Sequence, residues 1–281
     1  MRIAVVGARG QLGAAMAHAC EQRHEVVRFD RSTLDITDDV AVRGAIERAK
    51  PDAIVNCAGF NAVDAAETQA VAALQANAFA VRSLARAARD AGAALVQFSS
   101  DFVFDGLATA PMTEEHPRNP RSAYATSKLL GEWFAADAPV SYVLRVESLF
   151  GVGPGGPDKG SLTSIVNGLR AGNVVKVFGD RTVSPTYIDD CATATLGLLE
   201  RRSTPGVYHC VNSGFATWHD VGMEAARLLG VTPRFDVVAV AAVTLPAARP
   251  QYCALSNAKL NAALGYTLPT WQDALGRYLR R

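Results

Sequence analysis

No uninterrupted apolar segment reaches the roughly 20 residues that a membrane-spanning helix needs, although hydrophobic residues make up 49% of this 281-residue chain. That argues against a membrane partner. Charge of one sign is equally scarce: 28 basic against 27 acidic residues leave a net charge of +1, which is no electrostatic footprint for nucleic acid or an anionic lipid surface. Cysteine is sparse too. Cys20, Cys57, Cys191, Cys210 and Cys253 are widely spaced and contain no C-x-x-C pair, so they offer neither a zinc site nor a disulfide framework. They are expected to be buried thiols in a reducing compartment, and no metal site is expected. Internal repeats and low-complexity tracts are also missing. Because the sequence opens directly in a strand pattern, no signal peptide is expected and the location implied is cytoplasmic. The length suffices for a large core in one or two domains.

What is present begins with a short apolar run at residues 3–6, which has the character of a strand buried on both faces. It is followed by Gly7-x-x-Gly10-x-x-Gly13. Glycines at that spacing let the backbone turn sharply into a helix and approach a pyrophosphate, which then faces the amide groups and the positive end of the helix dipole. A second strand over 25–29 ends at Asp30, 23 residues after Gly7, close to the separation at which a carboxylate reaches an adenosine ribose. Asp30 favours NADH. Arg9 and Arg31 favour NADPH, because a guanidinium pairs with a 2′-phosphate through two parallel hydrogen bonds. Both cofactors stay open.

Further strands are expected at 53–56, 95–99 and 141–146, with Ala-rich helical stretches between them. The alternation predicts an α/β fold, a Rossmann-type doubly wound parallel sheet with helices on both faces. Ligands of such sheets collect at the carboxyl ends of the strands. Here those ends carry Cys57-Ala58-Gly59, Ser99-Ser100-Asp101 and Glu147-Ser148. The dinucleotide-binding domain is expected over 1–150, with returning segments at about 184–212 that include a helix over 189–201 and a strand over 207–211. Residues 151–183 and 213–281, rich in Gly and Pro punctuation and with a helix over 162–171, form a smaller, discontinuous C-terminal substrate lobe. His219 belongs to a helix entry rather than to a catalytic pair.

Tyr124 and Lys128 stand at i and i+4, so they share one face of a helix, and the ammonium is expected to favour ionisation of the phenol. A ketone accepts hydride most easily when hydroxyl donors neutralise the charge growing on its oxygen. Ser100 and Tyr124 would supply those hydroxyls, Tyr124 would give the proton, and Lys128 would hold the nicotinamide ribose.

These residues resemble the extended short-chain dehydrogenases/reductases and, within them, the dTDP-4-dehydrorhamnose reductases. The resemblance rests on Gly7-x-x-Gly10-Gln11-x-Gly13, Pro51-Asp52-x-Ile54-Val55-Asn56, Ala62-Val63-Asp64-x-x-Glu67, the run from Ser99 through Asp101 to Gly106, Tyr124-x-x-x-Lys128-x-x-Gly131-Glu132, Thr217-Trp218-His219-Asp220 and Arg249-Pro250, in the family's order over nearly the whole chain. Dehydratases of the superfamily carry an Asp-Glu pair where this chain has Asp101-Phe102. The resemblance implies NAD(P)H-dependent reduction of the 4-keto group of a nucleotide-activated deoxysugar, with a nucleotide sugar as partner and a homodimer as a compatible assembly. The same residues would also serve a dinucleotide-binding regulatory subunit or a sugar-nucleotide epimerase. Cofactor contacts are expected from Gly7, Gly10, Gln11, Leu12, Gly13, Asp30, Arg31, Asp35, Ile36, Cys57, Ala58 and Gly59, together with Tyr124 and Lys128. Substrate contacts are expected from Asp101, Val103, Phe104, Glu147, Trp218 and Arg249. One departure stands out. The family reads R-T-S-W-V-Y where this chain has Arg145, Val146, Glu147, Ser148, Leu149 and Phe150, exchanging an aromatic wall beside the sugar for a serine and a carboxylate.

Overall fold

Strands whose residues are apolar on both faces must be covered on both faces, and here helices do the covering. In a computed structural model describing residues 1–280, the first half runs β1 (Arg2–Val6), α1 (Gln11–Glu21), β2 (Glu25–Phe29), α2 (Asp39–Ala49), β3 (Ala53–Asn56), α3 (Ala65–Thr68), α4 (Ala70–Leu74), α5 (Ala80–Ala91), β4 (Ala94–Ser100), α6 (Ala123–Ala135) and β5 (Ser141–Val146). The second half runs β6 (Leu149–Phe150), α7 (Ser161–Arg170), β7 (Val174–Phe178), β8 (Thr182–Val183), β9 (Thr186–Tyr187), α8 (Ile188–Glu200), β10 (Gly206–His209), β11 (Ala216–Thr217), α9 (Trp218–Leu229), β12 (Arg234–Val238), α10 (Ala258–Leu264) and α11 (Trp271–Leu279).

Six strands form one sheet in the order β10-β5-β4-β3-β1-β2, every neighbouring pair parallel. The chain reverses its direction of travel across the sheet between β1 and β3, the place where an open α/β sheet leaves a crevice for ligand. One face is covered by α1 and α8, with Leu12, Met16, Ile188 and Leu196 in a common core. The other is covered by α2, α5 and α6 through residues such as Ile46, Val81, Leu84 and Ala135. The late pieces α8 and β10 thus belong to the main sheet, while α7, α9 and α11 enclose a separate core around Phe150, Ile165, Val177, Trp218 and Trp271. The helix expected at 162–171 is α7, and that expected at 189–201 is α8, each starting one residue earlier.

The helical stretch before β4 is broken by a π-turn at Gln75–Phe79. Asn77 within it donates to Phe60 O at 2.9 Å and to Ser127 Oγ at 3.0 Å, and accepts from Phe60 N at 2.8 Å. Its own carbonyl lies against α6 so closely that a Cβ on Gly131 would sit 2.2 Å from it. A glycine is therefore required at the point where the widened turn meets the helix carrying Tyr124 and Lys128.

That helix is tied to the sheet by a buried charge pair. Arg145 Nε and Nη2 each donate to the Glu132 carboxylate at 2.8 Å, and Ser99 Oγ adds a third donor at 2.6 Å. Arg145 also lies over the Phe104 ring, 5.0 Å from its centroid, and faces His209 Nε2 at 3.4 Å.

Glu132→Gln leaves Arg145 buried without its countercharge and should lower the unfolding free energy by about 3–5 kcal/mol; urea titration of Glu132→Gln, Arg145→Met and the double variant should show the double costing less than the sum. His209 is held neutral, its pKa pushed down to about 3 by burial and then by the Arg145 charge. Unfolded His209 binds a proton below its ordinary pKa near 6.5 and the folded residue does not, so stability should fall as pH drops from about 6.5 toward 3, by about 1.4 kcal/mol per unit from this group. Denaturation midpoints at neutral and mildly acid pH should differ less in His209→Gln.

Candidate active site

The glycine turn is shaped by contact with a neighbouring strand end. Gly7 has φ +78°, and a Cβ there would lie 2.7 Å from Ala58 N. The Gly7 and Ala8 amides donate to Phe29 O at 2.8 and 2.9 Å, joining the turn to the end of β2. A Cβ on Gly13 would sit 2.1 Å from Gly7 O, so only glycine lets α1 pack that close. Gly10 caps α1 without a side-chain hydrogen bond, leaving the first-turn amides for a ligand. Gly10, Gln11, Leu12, Cys57 and Ala58 all line one cleft of about 410 Å³. These features fit a dinucleotide pyrophosphate.

Gln11 has a second function that its motif does not announce. Its side-chain amide donates to Gly151 O at 2.9 Å and Lys159 O at 3.0 Å, anchoring the 151–160 loop to the start of α1. Asp30 forms an ion pair with Arg9 at 2.9 Å and accepts from the Ser32 amide and hydroxyl. The two charges that favoured different cofactors therefore meet each other. Asp30, exposed Arg31 and exposed Asp35 lie around the end of β2 outside the cleft lining, and Asp35 is engaged by Thr37. Ile36 packs against the sheet core. Gly7, Gly13 and Gly59 shape the backbone without lining the cleft.

The catalytic candidates converge at the end of β4. Ser122 caps α6 by accepting from Ala125 N at 3.2 Å, and Tyr124 and Lys128 then fall one turn apart on its buried face. Both line the cleft, as do Ser100 and Asp101. Ser100 Oγ donates to Asp101 Oδ1 at 2.8 Å, and Lys128 Nζ donates to Phe98 O at 2.6 Å. Burial pushes Lys128 down to about 8. The Tyr124 phenol moves up, chiefly through burial and then the nearby Asp101 charge, while the Ser100 hydroxyl offsets part of this. This corrects the expectation that Lys128 favours ionisation of the phenol: its ammonium donates to a backbone carbonyl, and burial keeps the phenol protonated.

The remaining substrate candidates divide. Trp218, Arg249 and Glu147 line the cleft, with Arg249 held by Asp64 at 2.9 Å. Val103 and Phe104 do not reach it; at 0% and 1% exposure they pack with Met112, Leu129 and Leu255 in a core of their own. The turn that Asp101 opens after β4 directs them inward.

Sequence reasoning missed Arg181, which lines the cleft and lies over Phe102, its guanidinium carbon 5.6 Å from the ring centroid. A charged residue in a short loop carries no sequence signal of burial. It also missed a cluster of Asp101, Glu147 and Cys253, whose polar atoms lie within 4.8 Å of one another. That spacing would admit a cation, but the Arg181 guanidinium shares the corner, with Nη2 3.7 Å from Cys253 Sγ. Burial, then the Asp101 charge, pushes Glu147 up to about 8.

Among the described residues no helix is long and apolar enough to cross a membrane. A dTDP-4-dehydrorhamnose reductase of Streptomyces griseus is 36% identical over 279 residues, covering 96% of this chain and 90% of that protein. The crystal structure of a dTDP-4-dehydrorhamnose reductase from Clostridium acetobutylicum superimposes with a TM-score of 0.93 at 34% identity, covering 100% of this chain and 99% of that one. Another, from Bacillus anthracis in complex with NADP, superimposes with a TM-score of 0.93 at 26% identity over 99% and 98% of the two chains. Residues 1–281 match the family described as RmlD substrate binding domain, and the chain belongs to that family.

Proposed function

We propose that this protein is an NAD(P)H-dependent oxidoreductase that reduces the 4-keto group of a dTDP-activated deoxysugar. The observation that carries this is the meeting of Ser100, Tyr124 and Lys128 with the Gly10–Leu12 turn in a single cleft. The names of the relatives agree with it.

The dinucleotide, when bound, supplies hydride to the carbonyl carbon. Everything else falls to the chain. The first-turn amides of α1 and the side-chain-free Gly10 would hold the pyrophosphate, and Lys128 would hold the nicotinamide ribose. Tyr124 would present its hydroxyl to the substrate carbonyl oxygen, and Ser100 would do so by turning its hydroxyl away from Asp101. Because the phenol is kept neutral, it has a proton to deliver as that oxygen becomes an alcohol. We assign the sugar-nucleotide side to residues 151–183 and 213–281, whose core around Trp218 borders the cleft. Free thiols and balanced charge suit a cytoplasmic enzyme.

Tyr124→Phe should lower turnover of a dTDP-4-keto sugar by about a hundredfold to ten-thousandfold while leaving dinucleotide affinity unchanged, since the phenolic proton is required only in the chemical step. Stopped-flow NADPH oxidation and calorimetric titration read the two quantities. Turnover at the original rate would remove Tyr124 as the acid. The reaction should also have an alkaline limb. Lys128, with its pKa near 8, loses its charge as pH rises through that value, so kcat/KM should decline there. Lys128→Arg stays ionised at every accessible pH and should lose the limb. A limb retained by that variant but abolished by Glu147→Gln would belong to the carboxyl instead.

A further inference from the structure

A proton donor must be aimed as well as protonated, and the polar neighbours of Tyr124 do not aim it. Lys128 Nζ donates to Phe98 O and Ser100 Oγ to Asp101 Oδ1, so neither the ammonium nor the hydroxyl holds the phenol. An aromatic ring turns easily about its χ2 bond, because that torsional well is broad. The direction of the Tyr124 hydroxyl is therefore left to packing.

Tyr124 is 8% exposed and lies among Ala66 and Ala73, with Phe60, Val63 and Phe102 against the cluster. Phe102 meets it edge to face, the ring centroids 5.6 Å apart and the ring planes at 87°. In that arrangement the positive edge of one ring faces the negative face of the other, so tilt and distance are both specified. Alanine methyls fill space but specify neither.

Phe102 is itself well held. Its amide donates to Ser100 Oγ at 3.3 Å, and while Val103 and Phe104 turn into a core, its half-buried ring lines the cleft. The guanidinium carbons of Arg181 and Arg249 lie 5.6 and 5.9 Å from its ring centroid, close enough for each cation to be drawn to the ring. Both arginines are anchored in turn, Arg181 Nε donating to Pro250 O at 3.1 Å and Arg249 Nη2 to the Asp64 carboxylate at 2.9 Å. A ring on the wall of a cleft would otherwise be free to swing.

We propose that Phe102 is a positioning residue for the reaction: its clamped ring braces the Tyr124 ring and fixes the direction of the phenolic proton. This rests on the reductase function above and adds what aims its acid.

The test compares the wild type with Phe102→Leu, which keeps an apolar side chain but no ring, and Phe102→Tyr, which keeps the ring. Phe102→Leu should lower kcat for a dTDP-4-keto sugar by about tenfold to a hundredfold, with KM and NADPH affinity little changed. Its solvent deuterium isotope effect on kcat should rise as proton transfer becomes limiting, and Phe102→Tyr should restore most of the rate. An unchanged kcat in Phe102→Leu overturns the proposal. So does a loss confined to KM, which would make the ring a wall of the substrate site, and so does a Phe102→Tyr variant no faster than Phe102→Leu. A fluorine label on the Tyr124 ring reads orientation without turnover: its NMR line should be single in the wild type and shifted, split or broadened in Phe102→Leu, and an unaltered line refutes the brace. If the wild type reduces no keto sugar, the reductase function fails and the fluorine line still decides the brace. Phe102→Met serves the same comparison if Phe102→Leu does not fold.

Discussion

Glu132 lies one helical turn beyond Lys128 on α6, and its carboxylate is gripped by both arms of the Arg145 fork and by Ser99 in a place closed to water. Arg145 is on β5, Ser99 on β4, and both strands end at the site. One dry charge pair thereby sets how far the helix bearing Tyr124 and Lys128 stands from the strand end bearing Ser100. Dry ion pairs repay their desolvation only where geometry is good, and they fix geometry for the same reason. Asn77 and Gly131 set the opposite side of α6, where backbone meets backbone without an intervening side chain.

Within this frame, burial dominates the electrostatics. It moves Lys128 down, and Tyr124 and Glu147 up, ahead of every individual charge. The i, i+4 relation of Tyr124 and Lys128 puts them on the same face, but the direction of the phenol's shift depends on what each side chain touches. Lys128 touches Phe98 O, and Tyr124 sits near Asp101. A neutral phenol in dry surroundings, with a lysine that has lost part of its hydration, is the protonation state a reduction starts from.

Much of the fold was legible in the sequence. The parallel strands announced themselves because residues such as Ile3 to Val6 and Ala53 to Val55 are apolar on both faces, and periodicity reports burial directly. The glycine turn was legible because a positive φ at Gly7 and the contact at Gly13 each demand that residue. Ser100, Tyr124 and Lys128 also come together in the fold. What stayed hidden depends on direction and on distant segments. Val103 and Phe104 follow Asp101 immediately, but a tight turn sends them into a core. Arg181 and Cys253 approach Asp101 only because separate loops return to one corner. Arg9 and Asp30 looked like rival votes on the cofactor and are partners.

Gln11 opens α1, and its side chain also grips the carbonyls of Gly151 and Lys159. A single amide group thus tethers the first turn of α1 to the 151–160 loop. Any shift of that loop pulls on the first turn of α1, and any ligand stiffening that turn restrains the loop. Such linkage is reciprocal: whatever affinity one ligand gains from the presence of the other, the other gains equally.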